Sequence, residues 1–168
     1  EWADAKPEIL TDELVNKSKL FIKREFYPSA DKAPRPIHSN DVTLSFQVGR
    51  WLIPIAELLA ETLPYEYYFP LHGDSIEIGE FIASSANNCM VVENDFSSFD
   101  SSQGSETLSM IIEVLQDCGL PDEVADWMRL DTQCFNVYGP NNVSYRVRNV
   151  RASGRSETLL GNTIANMI

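Results

Sequence analysis

Two groups of side chains in this sequence have the types and spacing that phosphate-transfer chemistry needs. Asp95 and Asp100 are separated by four residues, directly after the mostly apolar stretch that begins at Cys89. A carboxylate at the end of a strand is aimed by the strand and stays open, and Mg²⁺ prefers hard carboxylate oxygens. This pattern predicts a metal-binding carboxylate at Asp95 with Asp100 close by. For this spacing alone, an aspartate pair in an ordinary turn or cap is the alternative.

The second group is separated from Asp100 by 52 residues and combines a Ser-Gly turn with a helix. Ser153 and Gly154 form the turn, and glycine allows backbone angles that favour a mobile loop. Thr158 and Asn162 are spaced i and i+4, so they share one face of the predicted helix. An asparagine there can hydrogen-bond a ribose hydroxyl, the group that separates RNA from DNA precursors. Taken alone, the segment is equally typical of a helix start with ordinary polar positions.

Charge is distributed unevenly along the 168 residues. The formal net charge of −12 is unusual for a nucleic-acid binder, and the composition of 43% apolar and 23% charged residues is that of a globular protein. No apolar run is long enough to span a membrane. Ten of the 13 basic residues fall into two windows: Lys17, Lys19, Lys23, Arg24, Lys32 and Arg35, then Arg146, Arg148, Arg151 and Arg155. Such windows around an acidic centre suit a phosphate-rich ligand, although solvated turns would also produce them.

The periodicity of apolar residues predicts an α+β fold with strands that are not adjacent in sequence. We expect helices over 7–20, over 41–63 with a bend near Pro54, over 76–87, from Ser105 and over 122–134. A final helix begins near residues 156–158. Strands are predicted over 21–27, 89–95 and 143–150.

Together the two groups resemble palm motifs A and B of viral RNA-dependent RNA polymerases. The string from Glu93 to Gln103 follows the pattern of the alphavirus-like group of positive-strand RNA viruses, particularly the hepevirus-like and tymovirus-like polymerases. The stretch from Thr158 to Asn166 fits the same group. The basic residues around Lys23 and Arg35 look like the fingers motif that roofs the nucleotide entry channel. The resemblance runs from about Phe21 to Ile168.

The resemblance implies a right-hand polymerase fold, with partial fingers and a palm made of an antiparallel sheet backed by helices. It assigns residues 1–88 to fingers segments, 89–118 to the palm with motif A, 119–150 to a fingers insertion and 151–168 to the palm with motif B. The chain stops before the expected Gly-Asp-Asp motif. We therefore expect the 168 residues alone to be inactive.

The resemblance also implies a role for each matching residue. Asp95 and Asp100 are the predicted catalytic residues, with Asp95 as the ligand of Mg²⁺ or Mn²⁺. The predicted nucleotide- and ribose-binding residues are Asp100, Ser153, Gly154, Thr158 and Asn162. The predicted triphosphate-binding residues are Lys23, Arg24 and Arg35. The predicted RNA-binding residues are Arg146, Arg148 and Arg151.

The implied activity is that of a nucleotidyltransferase, which adds ribonucleoside triphosphates to an RNA 3′ end on an RNA template. The implied partners are template and product RNA, ribonucleoside triphosphates, and helicase and capping domains of the same replicase polyprotein. The implied location is the host cytoplasm, in membrane-associated replication complexes. Two alternatives remain: a truncated or host-integrated remnant that binds RNA or protein without catalysis, and an unrelated Mg²⁺-dependent phosphotransferase or hydrolase.

Overall fold

The structure, a computed structural model, describes residues 15–26, 29, 31, 33–69, 71, 74–86 and 89–167. The described residues combine helices with one sheet, in the order two strands, a run of helices, two strands and a final helix, which confirms the predicted α+β class. In the part described, no helix is both long and apolar enough to cross a membrane.

The sheet is built from two distant parts of the chain, in the strand order β2-β1-β3-β4. Its strands are β1 (Lys17–Ile22), β2 (Pro36–Asn40), β3 (Cys134–Tyr138) and β4 (Ser144–Arg148). β1 pairs antiparallel with β2 and parallel with β3, while β3 and β4 are antiparallel. The sheet is therefore mixed, and differs from the antiparallel palm sheet that we expected. All four strands come from ranges predicted as fingers, a division that stays a prediction.

The helices carry the apolar stripes that the sequence predicts. They are α1 (Val42–Thr62), α2 (Ser75–Ser85), α3 (Phe99–Ser102), α4 (Ser105–Asp117), α5 (Asp122–Gln133) and α6 (Thr158–Met167). The Asp41 side chain accepts a hydrogen bond from the Thr43 amide at 2.9 Å and so caps α1. Pro54 lies inside α1.

Two hydrophobic clusters hold these elements together. The larger one joins α1, α4, α5 and α6 through buried side chains such as Leu44, Leu52, Ile111, Leu115, Ala125, Leu160 and Ile164. The smaller one, formed by Phe135, Val137 and Ala152, ties the start of the Ser-Gly segment to the sheet. Each fully buried large aliphatic or aromatic side chain stabilises the fold by about 1.5–3 kcal/mol. The larger cluster therefore fixes α6 against the other helices, and the smaller one fixes the loop before α6 against the sheet.

Three predicted elements differ from the structure. Of the strand predicted over 21–27, only residues 21 and 22 lie in a strand, at the end of β1, and residue 27 lies outside the described residues. Residue 15 is helical but Lys17–Ile22 form β1, so the helix predicted over 7–20 is wrong over 17–20; residues 7–14 lie outside the described residues. Pairing with two neighbouring strands outweighs the local helical pattern here. Residues 89–95 form no strand, since none of the four strands of the sheet pairs with them and a strand needs such a partner for its backbone hydrogen bonds.

Candidate functional site

The second aspartate of the carboxylate motif and the asparagine of the helix motif lie in direct contact. The Asn162 Nδ2 atom donates a hydrogen bond to Asp100 Oδ1 at 2.7 Å, across 62 residues of sequence. Asp100 lies in the single-turn helix α3, and Asn162 lies on the second turn of α6. Both side chains are partly exposed, so a ligand can reach them. The two residues that the sequence predicts to recognise ribose therefore form one polar site.

Two buried side chains continue this contact into the protein. Gln103 directly follows α3 and donates from Nε2 to Asn162 Oδ1 at 2.7 Å. Its Oε1 atom accepts a hydrogen bond from Arg151 Nε at 2.8 Å. Gln103 is 3% exposed and Arg151 is 4% exposed. The sequence predicted no role for Gln103, although it lies within the same string as Asp100.

The position of Arg151 argues against its predicted contact with RNA. Its guanidinium also donates from Nη1 to the Glu157 carbonyl oxygen at 3.3 Å. It lies against α6 at Gly161, where an added Cβ would come within 2.6 Å of Arg151 Cζ. Burial lowers the pKa of Arg151, while the charges of Glu157 and Asp100 oppose that shift. The guanidinium is thus committed to internal partners.

The Ser-Gly turn lies against β2. The His38 amide donates to the Ser153 carbonyl oxygen at 2.9 Å. Gly154 has φ +94°, and a Cβ at this position would lie 2.6 Å from Ile37 Cγ2 and 3.3 Å from the His38 carbonyl oxygen. Only glycine satisfies both the backbone angle and the close approach.

The Thr158 hydroxyl closes the same loop from its helical end. It accepts a hydrogen bond from the Arg155 amide at 3.1 Å and donates to the Ala152 carbonyl oxygen at 3.3 Å. Both hydrogen-bonding roles of the hydroxyl are therefore used within the turn, which positions the first turn of α6.

Arg155 anchors this loop in the interior. Its Nη2 atom donates to Ser18 Oγ in β1 and to Asp131 Oδ1 in α5, each at 2.8 Å, and its guanidinium lies 4.7 Å from the centre of the Phe135 ring. Burial raises the pKa of Asp131 to about 7 although Arg155 opposes the shift. Burial likewise raises the pKa of Glu157, which Arg155 also opposes. The cluster therefore contains two carboxyl groups whose pKa values are raised by burial.

The predicted triphosphate-binding residues lie at the far end of the β1–β2 hairpin. The Lys23 amide donates to the Arg35 carbonyl oxygen at 3.0 Å, which brings the two residues side by side. The Glu25 carboxylate lies 3.1 Å from Lys23 Nζ and 3.6 Å from Arg35 Nη1. Arg24 is exposed next to them. The hairpin thus presents several cations within a few residues, with one carboxylate between two of them.

Asp95 lies apart from these contacts in the exposed segment 89–98. Its carboxylate is open to solvent, as a metal ligand must be. Across residues 15–167, leaving aside the few positions the structure does not describe, no group of three or more His, Cys, Asp or Glu side chains could hold a metal ion. The residues described therefore leave the Asp95 carboxylate accessible but do not by themselves complete a metal site around it.

Arg146 and Arg148 are exposed on β4 and alternate along the strand, so both side chains lie on the same face. Arg146 Nε donates to Asn136 Oδ1 on β3 at 3.0 Å. Tyr145 lies on the opposite face, where its hydroxyl is 2.8 Å from His38 Nε2. Unlike Arg151, these two arginines can reach a ligand in solution.

Comparison of the sequence with known proteins identifies a family. The sequence model described as RNA dependent RNA polymerase matches residues 19–168. The non-structural polyprotein pORF1 of Hepatitis E virus genotype 3 (isolate Swine/United States/swUS1) is 34% identical over 121 residues, covering 71% of this chain and 7% of the polyprotein. The RNA replication polyprotein of Apple stem pitting virus (isolate PA66) is 26% identical over 161 residues, covering 92% of this chain and 7% of that polyprotein.

The chain thus spans about 7% of the length of these relatives. No solved structure matches it. The family match covers most of the chain and includes every residue of the Asp100–Asn162 contact. This chain belongs to the RNA-dependent RNA polymerase family.

Proposed function

We propose that this chain is part of a longer viral replicase that carries out RNA-templated RNA synthesis. The reaction is transfer of a nucleotide from a ribonucleoside triphosphate to an RNA 3′ end. The observation that supports it most strongly is the hydrogen bond from Asn162 to Asp100, because it creates a small polar site suited to a ribose hydroxyl. Family membership supports the same activity.

The chemistry of this pair suits a group that both donates and accepts a hydrogen bond. An ionised Asp100 carboxylate retains acceptor positions beyond the one that Asn162 occupies, and the Asn162 amide retains a second N–H. A ribose 2′-hydroxyl can use both at once, whereas a deoxyribose leaves both unused. A site that loses such contacts discriminates strongly against the substrate lacking the hydroxyl.

The remaining roles follow from position. Lys23 and Arg35, with Arg24 beside them, would bind the triphosphate, since arginine and lysine form charge-assisted hydrogen bonds with phosphate oxygens. Arg146 and Arg148 would contact the RNA backbone without reading its sequence. Ser153, Gly154 and Thr158 would shape the nucleotide site through the conformation of their loop.

Asp95 would be one ligand of Mg²⁺ or Mn²⁺, with further ligands from outside the described residues. A bound ion of this kind neutralises charge on the transferring phosphoryl group. We expect Asp95→Asn to lower nucleotide incorporation on the order of a hundredfold or more. Glu93→Gln, in the same exposed segment, is the matched control and should incorporate at the parent rate.

The complete enzyme would have the right-hand fold, with fingers and palm segments as assigned by the family pattern. Its partners would be template and product RNA, ribonucleoside triphosphates, and helicase and capping domains of the same polyprotein. It would act in membrane-associated replication complexes of the host cytoplasm.

The test uses the natural replicase polypeptide that contains these residues. Incorporation of each ribonucleotide and its 2′-deoxy analogue on an RNA template is measured as kcat/KM. We expect Asn162→Ala and Asp100→Ala to reduce the preference for the ribonucleotide at least about tenfold, since each removes a hydrogen bond to the 2′-hydroxyl. A parent polypeptide that copies no RNA, or variants that keep the full preference, would contradict the proposal.

A further inference from the structure

The buried side chains behind the Asp100–Asn162 pair determine which way the asparagine amide points. We propose that Gln103 and Arg151 are positioning residues for ribose selection: they hold Asn162 with its N–H atoms toward Asp100 and the substrate. This inference rests on the proposed function and deepens it, because it names side chains that control the selectivity of the same site.

The hydrogen bonds that run from Arg151 through Gln103 and Asn162 to Asp100 form a relay. The direction of each of these hydrogen bonds is fixed from both ends of the relay. At the inner end, Arg151 Nε can only donate, so Gln103 must present Oε1 to it at 2.8 Å. Gln103 Nε2 then faces Asn162 and donates to Oδ1 at 2.7 Å. At the outer end, an ionised Asp100 carboxylate can only accept, and Asn162 Nδ2 donates to it at 2.7 Å.

The opposite orientation of Asn162 would place two acceptors against each other at Asp100 and two donors against each other at Gln103. Oδ1 would then face the Asp100 carboxylate, and Nδ2 would face the N–H atoms of Gln103. An unpaired polar group in a partly buried position costs about 1–3 kcal/mol. The relay therefore disfavours the flipped amide strongly, and the second N–H of Asn162 stays available to a 2′-hydroxyl oxygen.

The relay is rigid because its inner part is buried and tightly packed. Gln103 and Arg151 are 3% and 4% exposed. The Arg151 guanidinium also donates to the Glu157 carbonyl oxygen and occupies the space that Gly161 leaves open on α6. Packing of this kind restricts the guanidinium to one position, and that position sets the orientation of both amides.

Gln103→Glu separates positioning from a general structural role. Glutamate has the shape of glutamine and keeps an acceptor for Arg151, but it has no N–H to donate to Asn162 Oδ1. The Asn162 amide then has a carboxylate on both sides, at residue 103 and at Asp100, and is no longer held in one orientation. We expect kcat/KM for ribonucleoside triphosphates to fall about tenfold, the loss typical of one hydrogen bond. For 2′-deoxy analogues, which do not use the contact, kcat/KM should stay near the parent value.

Two further variants complete the experiment, all in the natural replicase polypeptide. Gln133→Glu makes the same charge change at an exposed glutamine of α5 and should leave both substrates unaffected. Arg151→Lys keeps the positive charge but loses the fixed guanidinium geometry, and should show a smaller shift in the same direction. If Gln103→Glu folds poorly, Arg151→Lys still tests the same hydrogen bonds. Thermal unfolding measures whether each variant is folded.

Each outcome decides the proposal. A selective loss for ribonucleotides in Gln103→Glu and Arg151→Lys supports it. Equal losses for both substrates, or an unchanged ratio, would mean that the relay only stabilises the fold, and would overturn the positioning role while leaving RNA synthesis intact. A parent polypeptide without RNA synthesis would overturn the proposed function and the positioning role together.

Discussion

Arg155 forms a buried ion pair with Asp131: its Nη2 atom lies 2.8 Å from Asp131 Oδ1, and the two side chains are 1% and 8% exposed. The pair joins the Ser-Gly loop to α5 and, through Ser18, to β1. Removing one partner of a buried pair leaves an uncompensated charge, so this contact is structurally important even though burial is costly for both groups.

The first prediction concerns pH. Because the pKa of Asp131 is raised to about 7 in the folded protein, from about 4 in an unfolded chain, the folded state holds a proton that the unfolded state releases between these values. The free energy of unfolding should therefore fall as the pH rises from about 4 to about 7. Glu157, whose pKa is also raised, contributes with the same sign.

Urea unfolding between pH 4 and pH 8 measures this slope. Asp131→Asn should make the pH dependence shallower, since it removes one of the two titrating groups. Asp126→Asn, at an exposed position of the same helix, should keep the parent slope. A slope in Asp131→Asn as steep as that of the parent would show that Asp131 does not titrate in this range.

The second prediction concerns Gly154. Gly154→Ala should lower the stability by about 1–3 kcal/mol, because φ +94° strains any side chain and the new Cβ would lie 2.6 Å from Ile37 Cγ2. Gly49→Ala is the matched control: it lies inside α1 with open space around its Cβ position, and should stabilise by up to about 1 kcal/mol. Chemical denaturation measures whether each substitution lowers or raises the free energy of unfolding. A Gly154→Ala variant as stable as the parent would contradict the observed packing.

The third prediction concerns the basic hairpin. Lys23→Met and Arg35→Met should each raise KM for ribonucleoside triphosphates roughly three- to tenfold, as expected for the loss of one charge-assisted hydrogen bond. Arg50→Met, at an exposed arginine of α1 that lies over Trp51, should leave KM unchanged. Steady-state incorporation kinetics distinguish these cases. An effect of equal size in Arg50→Met would indicate long-range charge and not a local triphosphate site.

The fourth prediction separates the arginines of the second basic window. Arg146→Gln and Arg148→Gln should each weaken RNA binding for all sequences alike and reduce its salt dependence by about one phosphate contact. Fluorescence anisotropy at several salt concentrations measures both effects. Arg129→Gln, on α5 beside Asp126, is the control and should bind RNA as the parent does. A steep salt slope that survives in both variants would exclude these arginines from the RNA contact.

The sequence predicts the five longer helices (α1, α2, α4, α5 and α6) well, because each has its own local pattern of apolar residues or helix-ending residues. The apolar stripe of α4 and the stop at Gly119 and Pro121 are local features, and local features survive in the fold. β3 was missed because Cys134–Tyr138 is a short stretch at the end of a helical pattern. Its strand conformation depends on β1, which lies more than a hundred residues earlier. A strand partner so far away in the sequence gives no signal in the local pattern of residues.

The candidate site likewise contains residues that the sequence predicts and residues that only the structure identifies. Asp100 and Asn162 are predicted together because each lies in a stretch that resembles a motif of the family, motif A for Asp100 and motif B for Asn162. The roles of Gln103 and Arg151 could not be predicted, because they depend on burial and on contacts across 48 residues. A run of arginines reads as a surface patch in sequence, and only the packing against Gly161 shows that Arg151 is internal.

The β1–β2 hairpin has a mechanical consequence. It holds the Ser-Gly loop at one end, through Ser18 to Arg155, and in its middle, through His38 to Ser153. The other end carries Lys23, roughly 16 Å further along at the usual rise of a strand. The hairpin therefore connects the basic residues at its tip to the loop from which α6 departs, so we expect any shift of that tip on substrate binding to be felt at the loop.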